Sequence, residues 1–67
     1  MSANNQVVIS RDKGNYRIVE VDIECGGGSH IGSGVKTLEE AVLMANEYMD
    51  KCSREGYPVE YGLDVRI

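Results

Sequence analysis

The chain has no tryptophan, no phenylalanine, one proline, one histidine and two cysteines among 67 residues. Four tyrosines are its whole aromatic complement, so any core is built from aliphatic side chains. A single histidine and two cysteines outside any CxxC pair supply no metal-ligand spacing. No apolar run approaches the ~20 residues needed to span a bilayer. The opening Met1-Ser-Ala-Asn-Asn-Gln6 is polar and short, unlike a secretory leader. The expected location is therefore cytoplasmic, with both thiols free. Basic residues are in deficit too: seven Lys and Arg face eleven Asp and Glu, for a net charge of −4. Duplex DNA and anionic membranes both need a basic surface, so neither is the expected partner. A basic protein suits the balance better, as does an acidic surface that imitates nucleic acid.

The length fits one small domain, 1–67, with residues 1–5 as a flexible tail. A core of this size rarely nets more than ~3–5 kcal/mol. A homodimer would add stability, and a deep active site would be hard to build. There is no internal repeat.

The stretch Val35–Ser53 carries the strongest local signal. Leu38, Ala41, Val42, Ala45, Met49 and Cys52 recur at helical spacing and share one face. Leu43 lies off that stripe and is expected in solvent. Thr37 and Glu40 read as a capping box, and Glu39 and Glu40 suit the positive end of the helix dipole. Gly56 marks the stop, with Pro58 just beyond it.

Gln6–Arg11 reads as a first strand with Val7 and Ile9 on one side. Asp12-Lys13-Gly14-Asn15 is a hairpin turn. Tyr16–Cys25 is a second strand of strict alternation. Val19, Val21, Ile23 and Cys25 are assigned to its buried face. Tyr16, Ile18, Glu20, Asp22 and Glu24 are assigned to its open face. Gly26–Gly34 is either a long loop or a turn followed by a third strand, Ser29–Val35. The strand is favoured, because a structureless loop of that length is unusual in so small a domain. It would place Cys25 and Cys52 at the same end of the molecule. Val59–Ile67 alternates cleanly and is expected as the last strand. The fold class is α+β: β-β-β-α-β, an antiparallel meander plus one C-terminal strand, strand order 3-2-1-4, with a single helix packed on one face of the sheet.

Gly34-Val-Lys-Thr-Leu-Glu-Glu-Ala41 resembles the helix start of HicB-type antitoxins, and Arg54-Glu-Gly-Tyr-Pro58 is similar to the segment after that helix. The spacing differs by one residue before Thr37, and three glycines, Gly26 to Gly28, replace the family's proline-containing segment. The resemblance implies a partial ribonuclease-H-like fold and a non-enzymatic binder of a protein such as a toxin. An alternative is a phage or mobile-element inhibitor of a host defence complex, with an acidic face mimicking phosphates.

The glycine stretch before the helix fits neither GxGxxG nor GxxxxGK[ST], and Glu39 and Glu40 would repel an anion there. A tight turn explains it as well. His30 lacks a defined nucleophile and orienting acid, so a surface histidine is the plainer reading. Glu20, Asp22 and Glu24, joined by Glu60 and Asp64, could bind a metal as in a hydrolase, or simply keep a strand soluble. A third use is a carboxylate stripe meeting a basic protein, with Tyr16, Ile18 and Val8 as the apolar centre of the interface. On that reading Glu20→Lys with Asp22→Lys leaves the fold intact and weakens association. No cofactor is implied.

Overall fold

The turn at Lys13-Gly14 sets the register of the first two strands. In this computed structural model, which describes residues 4–24 and 26–67, Lys13 has φ 51° and Gly14 φ 83°. Positive φ at both central residues is the type I′ geometry, whose twist suits a tight hairpin. It joins β1 (Asn5–Asp12) to β2 (Asn15–Asp22), with Asp12 opposite Asn15 and Ile9 opposite Ile18. β3 (Gly28–Val35) pairs antiparallel with β2, so the expected third strand is present. α1 (Leu38–Arg54) follows, and β4 (Leu63–Arg66) returns parallel to β1. The sheet order is β3-β2-β1-β4, with the helix packed on one face, as the sequence pattern predicts.

The helix begins and ends for local reasons. Thr37 is extended, at φ −126° and ψ 150°, and its hydroxyl accepts from the Glu40 N–H at 3.2 Å. At the other end the Gly56 N–H reaches the Ser53 carbonyl and the Tyr57 N–H the Cys52 carbonyl. With Gly56 at φ 88° this is a Schellman stop. Val7, Ile9 and Ile18 of the sheet are fully buried with Ala41 and Ala45 of α1. Two alanines let the helix sit close to the strands. Gly32 gives further room: a Cβ there would lie 2.5 Å from the Met44 terminal methyl. Met44 and Tyr48 also pack on the core, so the buried stripe is wider than the predicted one. Leu43 is 59% exposed, as its helical phase requires.

Three expectations are corrected. Asn5 belongs to β1, not to a tail, because its backbone pairs with Asp22. β2 ends at Asp22 rather than Cys25. The fourth strand is shorter than Val59–Ile67. Gly62, at φ 70°, breaks the extended chain, and regular pairing starts only at Leu63. Val59 still packs on the core, whereas Tyr61 is 53% exposed. Cys52 is a free, half-buried thiol. Cys25 lies outside the described residues, and with it the expected level of the two thiols.

Candidate functional site

Residues opposite one another in a ladder share a face of the sheet. The hairpin puts Ile18 beside Ile9 and Glu20 beside Val7. Both therefore point toward the helix. Val19 lies beside Val8, and Val21 beside Gln6, on the face the helix leaves open. This reverses the two faces assigned to β2. Ile18 is 0% exposed and cannot be the centre of an interface. Tyr16 is half-buried against the core, with the Arg11 guanidinium 5.9 Å from its ring centroid.

Glu20 pointing inward needs partners, and it has them. The Tyr48 hydroxyl donates to Oε1 at 2.7 Å and the Asn5 side-chain amide donates to Oε2 at 2.6 Å. The Asn5 side-chain oxygen in turn accepts from the Glu60 N–H at 3.1 Å. One carboxylate thus ties the helix to β1, and through Asn5 to the approach to β4. Partial burial pushes the Tyr48 hydroxyl well above its ordinary value of 10.0, and the neighbouring Glu20 carboxylate and Cys52 thiol push the same way. Glu20 is a fold-holding residue, so Glu20→Lys is expected to unsettle the fold rather than leave it intact.

The other acids do not form the expected stripe. The Asp22 side chain accepts from the Glu24 N–H at 2.9 Å, and the Glu24 carboxylate accepts from the Asn4 amide. Both sit at the turn closing β2. Glu60 comes to the same end of the sheet through its backbone N–H, which donates to the Asn5 side-chain oxygen. Asp64 is elsewhere: it lies beside Val8 on the open face and pairs with Arg66 at 2.6 Å. Among the described residues no three of His, Cys, Asp and Glu come together as a cluster that could hold a metal. In the glycine stretch, Gly28 onward is strand, and the Gly27 carbonyl accepts from the Asp22 N–H at 2.7 Å. His30 is exposed and lies at the register position of Val19.

The open face is where the unexplained apolar surface lies. Val8 is only 5% exposed, walled in by its neighbours, and Val19 and Val21 are half-buried. A shallow trough of about 310 Å³ runs over Val19 and Val21 between Arg17 and His30. A second hollow, of about 280 Å³, lies at the end of the sheet around the helix-side residues Asn5, Glu20 and Asp22, with Val21, Gly28 and Ser29 beside them. The apolar strip of Val19 and Val21 therefore lies between Arg17 and His30, with no acid in the lining of its trough. The alternation of Val19 and Val21 carries the signal for it in the sequence. Alternation alone does not tell on which side of the sheet the strip lies.

No protein-family model matches the chain, no curated protein matches it in sequence, and no solved structure matches it in fold.

Proposed function

We propose that this chain is a small, non-enzymatic, HicB-like protein-binding domain that neutralises or masks a basic or nucleic-acid-binding protein such as a toxin. The partner docks on the open face of the sheet, not on the Tyr16 and Ile18 side. The observation that carries this reading is the inversion of β2: two valines face outward while a carboxylate is drawn inward and clamped. Apolar side chains grouped on an uncovered face and rimmed by polar ones are the anatomy of an interface. The net charge of −4, with Asp22 and Glu24 close together at the end of β2, favours a basic partner, which these acids would steer. The β-β-β-α-β order, the glycine-bearing third strand and the Thr37-capped helix support the HicB-like part.

The test is affinity capture from the source cells with the tagged chain and with Val19→Glu/Val21→Glu. The wild type is expected to retain a basic nucleic-acid-binding protein that the variant releases, both chains giving the same circular dichroism. In the purified pair, Asp22→Lys with Glu24→Lys should slow association mainly at low salt. Equal capture by the valine variant would refute the docking face.

A further inference from the structure

The two edges of the sheet are built differently. β3 carries two register shifts against β2, and Gly34 near its end has φ 68°. Bulges and twists of this kind blunt an edge strand against neighbours. β4 has no register shift, and its positive-φ glycine, Gly62, lies just before the strand rather than within it. It pairs with β1 through Val7–Leu63, Val8–Asp64, Ile9–Val65 and Ser10–Arg66 without irregularity. Its helix-side positions are apolar, yet α1 packs chiefly on β1, β2 and β3. Val65 is 40% exposed and Ile67 66%, although Ile9 next to Val65 is fully buried. Of the helix-side positions on this edge only Leu63 packs on the core, and the core thins out beyond it.

The outward peptide groups of β4 are fixed by its pairing with β1. The Gly62 carbonyl accepts from the Val7 N–H at 2.9 Å. Alternation along the strand then turns the peptide groups of Leu63, Val65 and Ile67 toward the free edge. We propose that this edge pairs antiparallel with β4 of a second copy of the chain, about a twofold axis at Val65. In that register Val65 exchanges both hydrogen bonds with its counterpart, and Leu63 does so with Ile67. The three apolar positions meet on the helix side. On the open face Asp64 stands across from Arg66, twice. Shifting the register by two residues either way sets Asp64 against Asp64 or Arg66 against Arg66, and like charges directly opposite are unfavourable. The charge order of the strand therefore selects one self-complementary register, as an isologous interface requires. The pairing joins two four-stranded sheets into one and makes their open faces continuous. It uses a different surface from the valine strip and stands independently of the proposed function.

Sedimentation equilibrium on the whole chain tests it. The wild type should self-associate, and Val65→Lys should raise the dissociation constant by more than about tenfold, the equivalent of about 1.4 kcal/mol. Val65 is partly exposed, so the fold is expected to survive, which circular dichroism checks. A charge swap decides the matter should that variant unfold. Asp64→Arg alone and Arg66→Asp alone should each weaken self-association, because each sets like charges across the axis. An equimolar mixture of the two should restore a mixed dimer. A wild type that stays monomeric up to about 1 mM overturns the proposal, since a dimer weaker than that retains only about 4 kcal/mol. So does self-association that Val65→Lys or the single charge variants leave unchanged, or a mixture that forms no mixed dimer.

Discussion

Removing the Tyr48 hydroxyl probes the inward carboxylate directly. Tyr48→Phe keeps the ring packed on the core and deletes only the 2.7 Å bond to Glu20. A hydrogen bond to a charged group is worth about 1.5–3 kcal/mol. Both side chains are half-buried, so water can reach the freed oxygen, and the Asn5 amide still holds the other one. The expected loss therefore lies at the low end, about 1–1.5 kcal/mol. Against a total of ~3–5 kcal/mol that is a large fraction, and it should lower the Tm by roughly 4–12 °C. Urea denaturation followed by circular dichroism measures it, with an unchanged m-value showing that only stability moved. Glu20→Gln closes a double-mutant cycle, and a coupling of at least about 0.5 kcal/mol is expected. Alkaline pH gives a second readout. Below the ordinary tyrosine value of 10.0 the hydroxyl keeps its proton whether the chain is folded or not. Above it the unfolded chain ionises first, so stability falls as pH rises. Tyr48→Phe should lack that share of the fall. A loss under about 0.3 kcal/mol, with strict additivity in the cycle, would refute the clamp.

Two glycines of β3 should respond differently to alanine. A Cβ on Gly28 meets the Glu20 backbone carbonyl at 2.8 Å, whereas one on Gly32 meets only the movable end of Met44. Thermal denaturation should show Gly28→Ala costing about 1–3 kcal/mol and Gly32→Ala less. Lys13 holds φ 51° without being glycine. Lys13→Gly, giving a Gly-Gly turn, should raise the Tm slightly, because about 1–2 kcal/mol of relieved left-handed strain exceeds the backbone entropy that glycine costs, about 0.4–1 kcal/mol. Ile18→Asp should unfold the domain, since it buries a charge with no partner, while Val19→Asp should leave its circular dichroism unchanged.

Element order, strand order and helix limits are legible in the sequence because each rests on local chemistry. Thr37 with Glu40, Gly56 with Pro58, and Lys13 with Gly14 each mark a boundary that the backbone obeys. The orientation of β2 is not, for an equally physical reason. Period-two alternation divides a strand into two faces but does not say which one is inside. Three apolar residues, Val19, Val21 and Ile23, outweigh Ile18 when the strand is read alone. The register holds the answer. A two-residue turn between Asp12 and Asn15 forces Ile18 beside Ile9, and Ile9 is inward on the pattern of its own strand. The Glu20 clamp is invisible for another reason. Its partners, Asn5 and Tyr48, lie 15 and 28 residues away, and only the fold brings them together. The shortening of the last strand comes from Gly62, whose positive φ the alternating pattern conceals.

The inversion of β2 underlies both the clamp and the proposed docking face, and a nuclear Overhauser map of the methyl groups tests it with no substitution at all. The Ile18 methyls should show cross-peaks to the methyls of Ala41, Ala45 and Met44 on the helix. Val19 and Val21 should show cross-peaks to Val8 and none to α1. Cross-peaks from Val19 or Val21 to the helix, with Ile18 silent, would contradict the orientation of the strand and remove the valine face with it.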